Sequence, residues 1–171
     1  MRRVFSSVCI IVALMGCMLS GYGQDIKGTL AIRNVETGLL LRIKDANSKD
    51  GTPLVAYPAR NWKCMTWEFQ HVMGETYRLR NLFTNKTFAP TDGQQREGTR
   101  LEQESLDKND RSQDWEFIQV EEDTYQIRLK GTDLYLTPSD AKGGVNTPII
   151  LSPENNSNIQ KWTIYHQDPQ M

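Results

Sequence analysis

A tryptophan recurs at a nearly constant interval along this chain of 171 residues. The three copies, at positions 67, 115 and 162, are separated by 48 and then 47 residues. Each copy ends a tripeptide, and the tripeptides are Met65-Thr66-Trp67, Gln113-Asp114-Trp115 and Gln160-Lys161-Trp162. Self-similarity with a period of roughly 20–50 residues indicates a repeat architecture. The interval therefore constrains the fold more than any single motif.

Other residues align with the tryptophans at the same interval. An apolar residue followed by Arg stands early in each copy, at Ile32-Arg33, Leu79-Arg80 and Ile127-Arg128. An Asp follows at 45, 92 and 140, and a Gly-Thr or Asn-Thr pair begins at 51, 98 and 146. These columns place the repeats at about 26–73, 74–120 and 121–168. They predict one domain built of three units.

Each unit contains four short segments of alternating apolar and polar residues, and helical periodicity is nearly absent. Such segments are typical of half-buried strands. The residues at 51, 98 and 146 are Gly, Gly and Asn, which adopt positive φ at low cost, so we expect a turn before each third strand. Twelve short strands in three units of four predict an all-β fold, a β-trefoil with pseudo-threefold symmetry. In this fold a closed barrel is capped by three hairpins.

The N-terminal segment has the features of a targeting sequence. Arg2 and Arg3 precede an apolar stretch, 8–19, that is too short to span a bilayer. We expect residues 1–23 to be a signal peptide cut before Gln24, which leaves 24–171 as a secreted or periplasmic domain. The alternative is a lipid anchor at Cys17, because Leu14-Met15-Gly16-Cys17 resembles a bacterial lipobox. Met15 is bulky for that motif, which favours secretion.

Composition excludes several classes of function. The formal net charge is −1 and no run of Lys and Arg is present, so we expect no nucleic-acid partner. Beyond the leader, no apolar run has the length of a membrane span. Cys64 is the one cysteine outside the leader, so we expect no disulfide and interpret it as a buried small apolar residue. No spacing matches a metal, cofactor or catalytic motif, so we expect no metal, no cofactor and no enzyme.

The tripeptides resemble the Gln-x-Trp signature of the ricin-type β-trefoil (ricin B lectin-like) family. The opening of the first repeat, 32–41, and the Gly-Thr-x-Leu segments are similar to that family as well. The resemblance covers the whole domain and implies a secreted bacterial member with a β-trefoil fold. It also implies that the tryptophans and the preceding glutamines belong to the repeated core. These core residues are Trp67, Gln113, Trp115, Gln160 and Trp162.

Lectins of this family hold a sugar with an Asp after the second strand and an aromatic residue on the third. An Asn or Gln near the tryptophan completes the set. In this chain the Asp position is held by Arg42, Ala89 and Thr137 in the three repeats, and the aromatic position by Tyr57, Glu104 and Ser152. No repeat has the complete set.

The first repeat offers the best candidates for recognition. Tyr57 is followed by a polar, aromatic loop that contains Asn61 and Trp62, and Trp62 has no tryptophan counterpart in the other repeats. An aromatic residue outside the scaffold pattern favours a functional role, although it could instead stabilise the barrel end. Asp45 is a further candidate. Because an Asp recurs at this place in all three repeats, a loop-capping turn is favoured over a sugar contact.

Arg33, Arg80 and Arg128 form another threefold column. Three guanidinium groups on equivalent strands could bind anionic sugars such as sulfated or sialylated glycans. We favour pairing with carboxylates around the barrel.

These observations predict a secreted, lectin-like module that binds carbohydrate without catalysis through Asp45, Tyr57, Asn61 and Trp62. The expected partner is a glycan or polysaccharide, and a cell-surface protein is a further candidate. The alternative is a β-trefoil that binds protein, with sugar sites that have degenerated, because the family's sugar-binding set is incomplete. Fold alone does not separate these functions.

Overall fold

The computed structural model describes residues 25–170. The expected signal peptide at 1–23, the cut before Gln24 and the lipid-anchor alternative at Cys17 lie outside the described residues. Residues 25–170 form twelve strands and five single-turn 3₁₀ segments. The strands are β1 (Thr29–Asn34), β2 (Leu40–Ile43), β3 (Leu54–Tyr57), β4 (Trp67–Met73), β5 (Thr76–Asn81), β6 (Thr87–Pro90), β7 (Leu101–Glu104), β8 (Trp115–Glu121), β9 (Thr124–Leu129), β10 (Leu134–Pro138), β11 (Thr147–Pro153) and β12 (Lys161–His166).

The first and fourth strands of each repeat form a closed, antiparallel, six-stranded barrel. Neighbouring strands pair in the order β1, β4, β5, β8, β9 and β12, and β12 pairs back with β1. The closing pair joins the two ends of the domain, with Leu30 opposite His166 and Asn34 opposite Trp162. Closure removes the open sheet edges of the barrel. The predicted β-trefoil is confirmed.

The second and third strands of each repeat form the hairpins β2–β3, β6–β7 and β10–β11. A residue with positive φ precedes the third strand in every repeat: Gly51 at 77°, Gly98 at 80° and Asn146 at 60°. Gly and Asn tolerate this left-handed backbone better than other residues. The predicted turn column is confirmed.

The three repeated tryptophans are fully buried in the core, with 0 % exposure. The indole N–H of Trp67 donates to the carbonyl of Leu41 at 3.3 Å, and that of Trp162 donates to Leu136 at 3.0 Å. The ring of Phe88 lies between Trp67 and Trp115, with centroid distances of 5.3 and 5.0 Å. Aromatic pairs at such distances stabilise a core beyond the area they bury. The three repeated tryptophans therefore lie in the hydrophobic core.

In the second and third repeats, the glutamine of the tripeptide holds the loop that follows the third strand. Gln113 donates to the carbonyl of Ser105 at 3.0 Å and accepts from the amide of Asp107 at 2.9 Å. Gln160 donates to Pro153 at 2.8 Å and accepts from Asn155 at 2.9 Å. Met65 occupies this position in the first repeat and is fully buried. A thioether cannot replace these paired hydrogen bonds, so the first loop needs other contacts.

The arginine column pairs with carboxylates in two repeats. Nε of Arg80 lies 2.6 Å from Oε2 of Glu68, and Nη2 of Arg128 lies 2.8 Å from Oε2 of Glu116. The prediction is wrong for Arg33, whose guanidinium lies over the ring of Tyr165 at 4.7 Å. The residue opposite Arg33 on β12 is Thr163, which offers no carboxylate.

The N-terminal end of the described chain packs against one end of the barrel. Ile26 is buried, and its backbone amide donates to the hydroxyl of Tyr77 at 3.0 Å. The rings of Phe69, Phe117 and Tyr125 surround this end, with neighbouring centroids 5.0–5.9 Å apart. Among residues 25–170, no helix is long and apolar enough to cross a membrane.

Candidate functional site

One face of the β2–β3 hairpin packs on the main core, and the other packs on a smaller apolar cluster. Leu41 enters the main core, whereas Leu40 belongs to a smaller apolar cluster with Ala31, Cys64 and Met65. Because side chains alternate along a strand, Arg42 shares the face of Leu40. Tyr57 lies directly opposite Leu40 on β3 and packs on this smaller cluster, as Trp62 does. The loop after β3 therefore folds back over the face that carries Arg42.

Arg42 is the centre of this arrangement. Its guanidinium carbon lies 4.1 Å from the ring centroid of Tyr57 and 5.9 Å from that of Trp62. The two aromatic rings lie 6.3 Å apart at an interplanar angle of 34°. Nη2 of Arg42 lies 3.7 Å from Oδ1 of Asp45. Stacking on aromatic faces stabilises a cation by roughly 0.5–2 kcal/mol per contact.

A pocket of about 200 Å³ opens beside the guanidinium, and we call it the first-repeat pocket. It is lined by Arg42, Ala46, Trp62, Cys64 and Phe83. Four of these residues are apolar or nearly so, and Arg42 is the charged one. The pocket thus combines a flat apolar wall with a single cation.

Phe83 reaches the pocket from the second repeat. The side chain of Asn81 donates to the carbonyl of Cys64 at 3.1 Å, and the amide of Leu82 donates to Thr66 at 3.0 Å. These bonds fix the turn after β5 against the 3₁₀ segment Lys63–Met65. Phe83 remains 49 % exposed, so its ring is available at the rim.

Charge in the pocket is poorly compensated. Arg42 is only 7 % exposed, and its Nε is buried without a hydrogen-bond partner. The carboxylate of Asp45 is 67 % exposed and lies beyond hydrogen-bond distance. Burial raises the pKa of the Cys64 thiol, and the nearby Arg42 opposes that shift only in part. The buried Cys64 agrees with its interpretation as a small apolar residue.

Three of the four predicted sugar-binding residues come together. Tyr57, Trp62 and Asp45 surround Arg42. Asn61 instead donates from its side chain to the backbone carbonyl of Asp168 at 2.8 Å.

The C-terminal segment holds the loop of the first repeat. Gln167 donates to the carbonyl of Arg60 at 2.8 Å, beside the bond from Asn61 to Asp168. In the other repeats the glutamine of the tripeptide makes hydrogen bonds to this loop, and in the first repeat the C-terminal segment makes part of them instead. The loop that carries Trp62 is therefore fixed by contacts that the other two repeats do not use.

The Asp column divides between two structural roles. Oδ1 of Asp140 accepts from the amide of Lys142 at 2.9 Å, which is the predicted loop-capping turn. Asp45 and Asp92 have positive φ, at 53° and 54°, inside short 3₁₀ segments. Asp45 adds the ion pair with Arg42, so the shared backbone position carries a local function in the first repeat.

The equivalent hairpin faces of the other repeats are different. In the third repeat Thr137 accepts from Nε2 of Gln160 at 3.1 Å, which fills the position that Arg42 holds. In the second repeat burial raises the pKa of Glu104, and the charge of Asp50 adds to the shift. Neither third strand presents an aromatic ring at this place. Residues 25–170 also contain no cluster of His, Cys, Asp and Glu suited to a metal ion.

A larger depression, about 730 Å³, lies at the N-terminal end of the barrel. Asp25, Lys27, Asp123 and His166 are among the residues that line it. None of the predicted sugar-binding residues borders it, and it has no partly exposed tryptophan. The first-repeat pocket is therefore the better candidate in spite of its smaller volume.

Sequence reasoning missed Arg42 and Phe83 as site residues. Arg42 was interpreted as the loss of the family's Asp, but strand alternation already places it on the face of Tyr57. Phe83 carries no such signal, because tertiary contacts of the β5–β6 turn bring it to the pocket.

A family model described as ricin-type beta-trefoil lectin domain-like matches residues 63–152, which is more than half of the chain. The match begins directly after Trp62, so the β2–β3 hairpin lies outside it. No curated protein matches the chain.

Several solved structures share the fold at low sequence identity. A designed threefold symmetric protein, ThreeFoil, is 15 % identical with a TM-score of 0.77, over 81 % of this chain and 98 % of that one. A ricin B-like lectin from Macrolepiota procera, solved with lactose, is 22 % identical with a TM-score of 0.70, over 82 % and 96 %. The exo-beta-1,3-galactanase 1,3Gal43A from Clostridium thermocellum is 16 % identical with a TM-score of 0.75, over 82 % of this chain and 30 % of that one.

Proposed function

Because the chain belongs to the ricin-type beta-trefoil lectin domain-like family, we propose that it binds carbohydrate and that its principal site is the first-repeat pocket. The observation that carries the proposal is the position of Trp62. Of the four tryptophans, the three repeated ones are fully buried, whereas Trp62 is partly exposed and lines a pocket.

The chemistry of the pocket suits a sugar ring. A pyranose has an apolar C–H face and a polar edge, so it binds where an aromatic ring stands beside a charged or polar group. Trp62 and Phe83 supply the apolar surface, and Arg42 supplies hydrogen-bond donors. The volume of about 200 Å³ is below the roughly 300–1,000 Å³ of pockets that enclose drug-sized ligands, which fits a single sugar unit.

The proposed activity is binding without turnover. The family model describes lectin-like domains, which supports this part of the proposal. One shallow pocket gives weak affinity, so a repetitive polysaccharide or several copies of the domain would strengthen attachment. Incubation with a bound polysaccharide should leave its chain length unchanged.

The proposed location is outside the cytoplasm. The support is the basic, apolar leader sequence, with Arg2 and Arg3 before the stretch 8–19. A secreted domain would meet glycans of a surface or of the surroundings. Expression of the full chain should give a mature protein that begins at Gln24, and intact-mass spectrometry would instead show the mass of a chain that begins at a lipid-modified Cys17 if the anchor is present.

A broad glycan array tests the proposed function. We expect wild-type protein to give hits, and Trp62→Ala to reduce the signal of each hit by roughly fivefold or more, because a central aromatic anchor contributes about 1 kcal/mol or more to binding. Val145→Ala is the matched control, since Val145 is an apolar residue of the third repeat that is 63 % exposed. Equal signals from all three proteins would contradict a site at Trp62.

The second candidate function is binding of a protein partner. The observation in its favour is the replacement of the family's acidic residue by Arg42, Ala89 and Thr137 in the three repeats. An array without hits, together with a protein that co-purifies with the wild type and not with Trp62→Ala, would support it.

A further inference from the structure

We propose that the first-repeat pocket takes the carboxylate of an acidic sugar, a uronic or sialic acid, and that Arg42 is the residue that binds it. The inference deepens the carbohydrate-binding function and rests on it. It reverses the polarity of the site that the family resemblance implies, in which a carboxylate of the protein accepts hydrogen bonds from sugar hydroxyls.

The buried guanidinium of Arg42 has no anionic partner within hydrogen-bond distance among the described residues. The Arg42 side chain is 8 % exposed, and its Nε has no hydrogen-bond partner. A buried charge is stable when it is paired and hydrogen-bonded. The rings of Tyr57 and Trp62 hold the guanidinium in place but neutralise no charge. An anionic ligand at the terminal Nη atoms would supply a closer acceptor than Asp45, whose Oδ1 lies 3.7 Å from Nη2.

The lining of the pocket includes a guanidinium and no acidic side chain. A guanidinium presents five N–H donors and no acceptor, in a planar fork that matches a carboxylate. The other lining residues are Ala46, Trp62, Cys64 and Phe83, which add apolar surface and no anion. A neutral sugar would find donors and few acceptors here. An acidic sugar would place its carboxylate on Arg42 and its ring on the aromatic wall.

Asp45 is the acidic residue paired with Arg42. Its carboxylate lies 3.7 Å from Nη2 of Arg42 and is 67 % exposed, so it competes weakly for the guanidinium. Removal of this charge should strengthen binding of an anion. This result separates the proposal from one in which Asp45 itself contacts sugar hydroxyls, because that role would make the same substitution harmful.

The test uses matched pairs of ligands on the full domain. Oligosaccharides of galacturonic acid, of glucuronic acid and of N-acetylneuraminic acid are titrated by calorimetry, each beside its methyl ester, which keeps the sugar and removes the charge. We expect at least one acid to bind and its ester to bind roughly tenfold more weakly or worse, because hydrogen bonds to charged groups are the stronger ones. A sulfated oligosaccharide of the same length distinguishes a carboxylate site from a general anion site.

The protein side of the test is Arg42→Gln, with Arg96→Gln as the control because Arg96 is exposed in the second repeat. Arg42→Gln should bind the acid roughly tenfold more weakly and should no longer discriminate acid from ester. The loss of affinity caused by the ester and the loss caused by Arg42→Gln should not add, because both changes remove the same interaction. Asp45→Asn should bind the acid several-fold more tightly, and Asn tolerates the positive φ of 53° at this position.

The outcomes are distinguishable. If Arg42→Gln binds the acid as well as wild type does, or if acid and ester bind equally in every pair, the inference is overturned. If neutral glycans bind in a Trp62-dependent manner and no acid does, carbohydrate binding stands and the acidic ligand is rejected. If no glycan binds, neutral or acidic, the proposed function fails as well. If Arg42→Gln does not fold, the ester comparison and Asp45→Asn decide.

Discussion

Single residues in this trefoil have different roles at equivalent positions. The residue opposite a barrel arginine is Glu68 in one pair, Glu116 in the next and Thr163 in the third. The arginine changes its partner accordingly, from a carboxylate to the ring of Tyr165 in the case of Arg33. The contacts at equivalent backbone positions therefore depend on the side chains of each repeat.

Two carboxylates should act on stability in opposite directions with pH. The hydrogen bond from Arg80 lowers the pKa of Glu68 below 4.5, so its contribution is present above pH 4.5 and is lost as the pH falls through the lowered value. Burial raises the pKa of Glu104, with Asp50 adding to the shift, so its contribution is present below pH 4.5 and is lost as the pH rises. At pH 7 we therefore expect Glu68→Gln to lower Tm and Glu104→Gln to raise it.

Thermal unfolding by circular dichroism between pH 3 and pH 8 checks this pair. Both variants should approach the wild-type Tm at the acid end, where the carboxyl groups are protonated and resemble the amide. A Glu104→Gln variant that is less stable than wild type at pH 7 would contradict the role assigned to burial and to Asp50.

At the scale of elements, the scaffold was predictable and the site was only partly so. Three kinds of residue recur at the same places in every repeat: a Trp, a Gly or Asn, and alternating apolar residues. They predicted all twelve strands, because each reflects a local backbone or packing requirement that the three repeats share. The sequence also placed Tyr57 at the end of a third strand and Trp62 in the loop that follows it. It could not place Phe83, whose position depends on contacts between repeats, and it did not predict that Asn61 would bind the C-terminal segment.

The loop after the third strand offers a test of the tripeptide glutamines. Gln160→Met introduces the residue that the first repeat has at this position, and leaves the amide of Asn155 and the carbonyl of Pro153 without their partner. We expect a loss of about 1–3 kcal/mol in the free energy of unfolding, measured with urea, because each of these two hydrogen bonds contributes roughly 0.5–1.5 kcal/mol net.

Gln94→Met serves as the control for this substitution, since Gln94 is exposed in a loop of the second repeat. Faster amide exchange at Asn155 should accompany the loss of stability. Equal stability of the two variants would mean that the glutamine does not hold the loop.

At the scale of the whole molecule, the barrel is symmetric and the surface is not. The ring of six strands closes only when β12 pairs with β1, so the three units support one core. The hairpin faces above that core differ in every repeat. The first combines a buried cation with a partly exposed tryptophan, the third fills the same place with a bond between Gln160 and Thr137, and the second carries Glu104. Recognition is accordingly proposed for one face of the three.

The most direct test of carbohydrate binding at the first-repeat pocket is an amide NMR titration of the folded domain with a glycan that gives a hit on the array. Because the three repeats present different hairpin faces, the location of the shift changes reports which face binds. We predict saturable changes that cluster at the pocket residues Arg42, Ala46, Trp62, Cys64 and Phe83 and disappear in Trp62→Ala. Changes of equal size in all three repeats, or changes confined to the barrel end around Asp25 and His166, would contradict it.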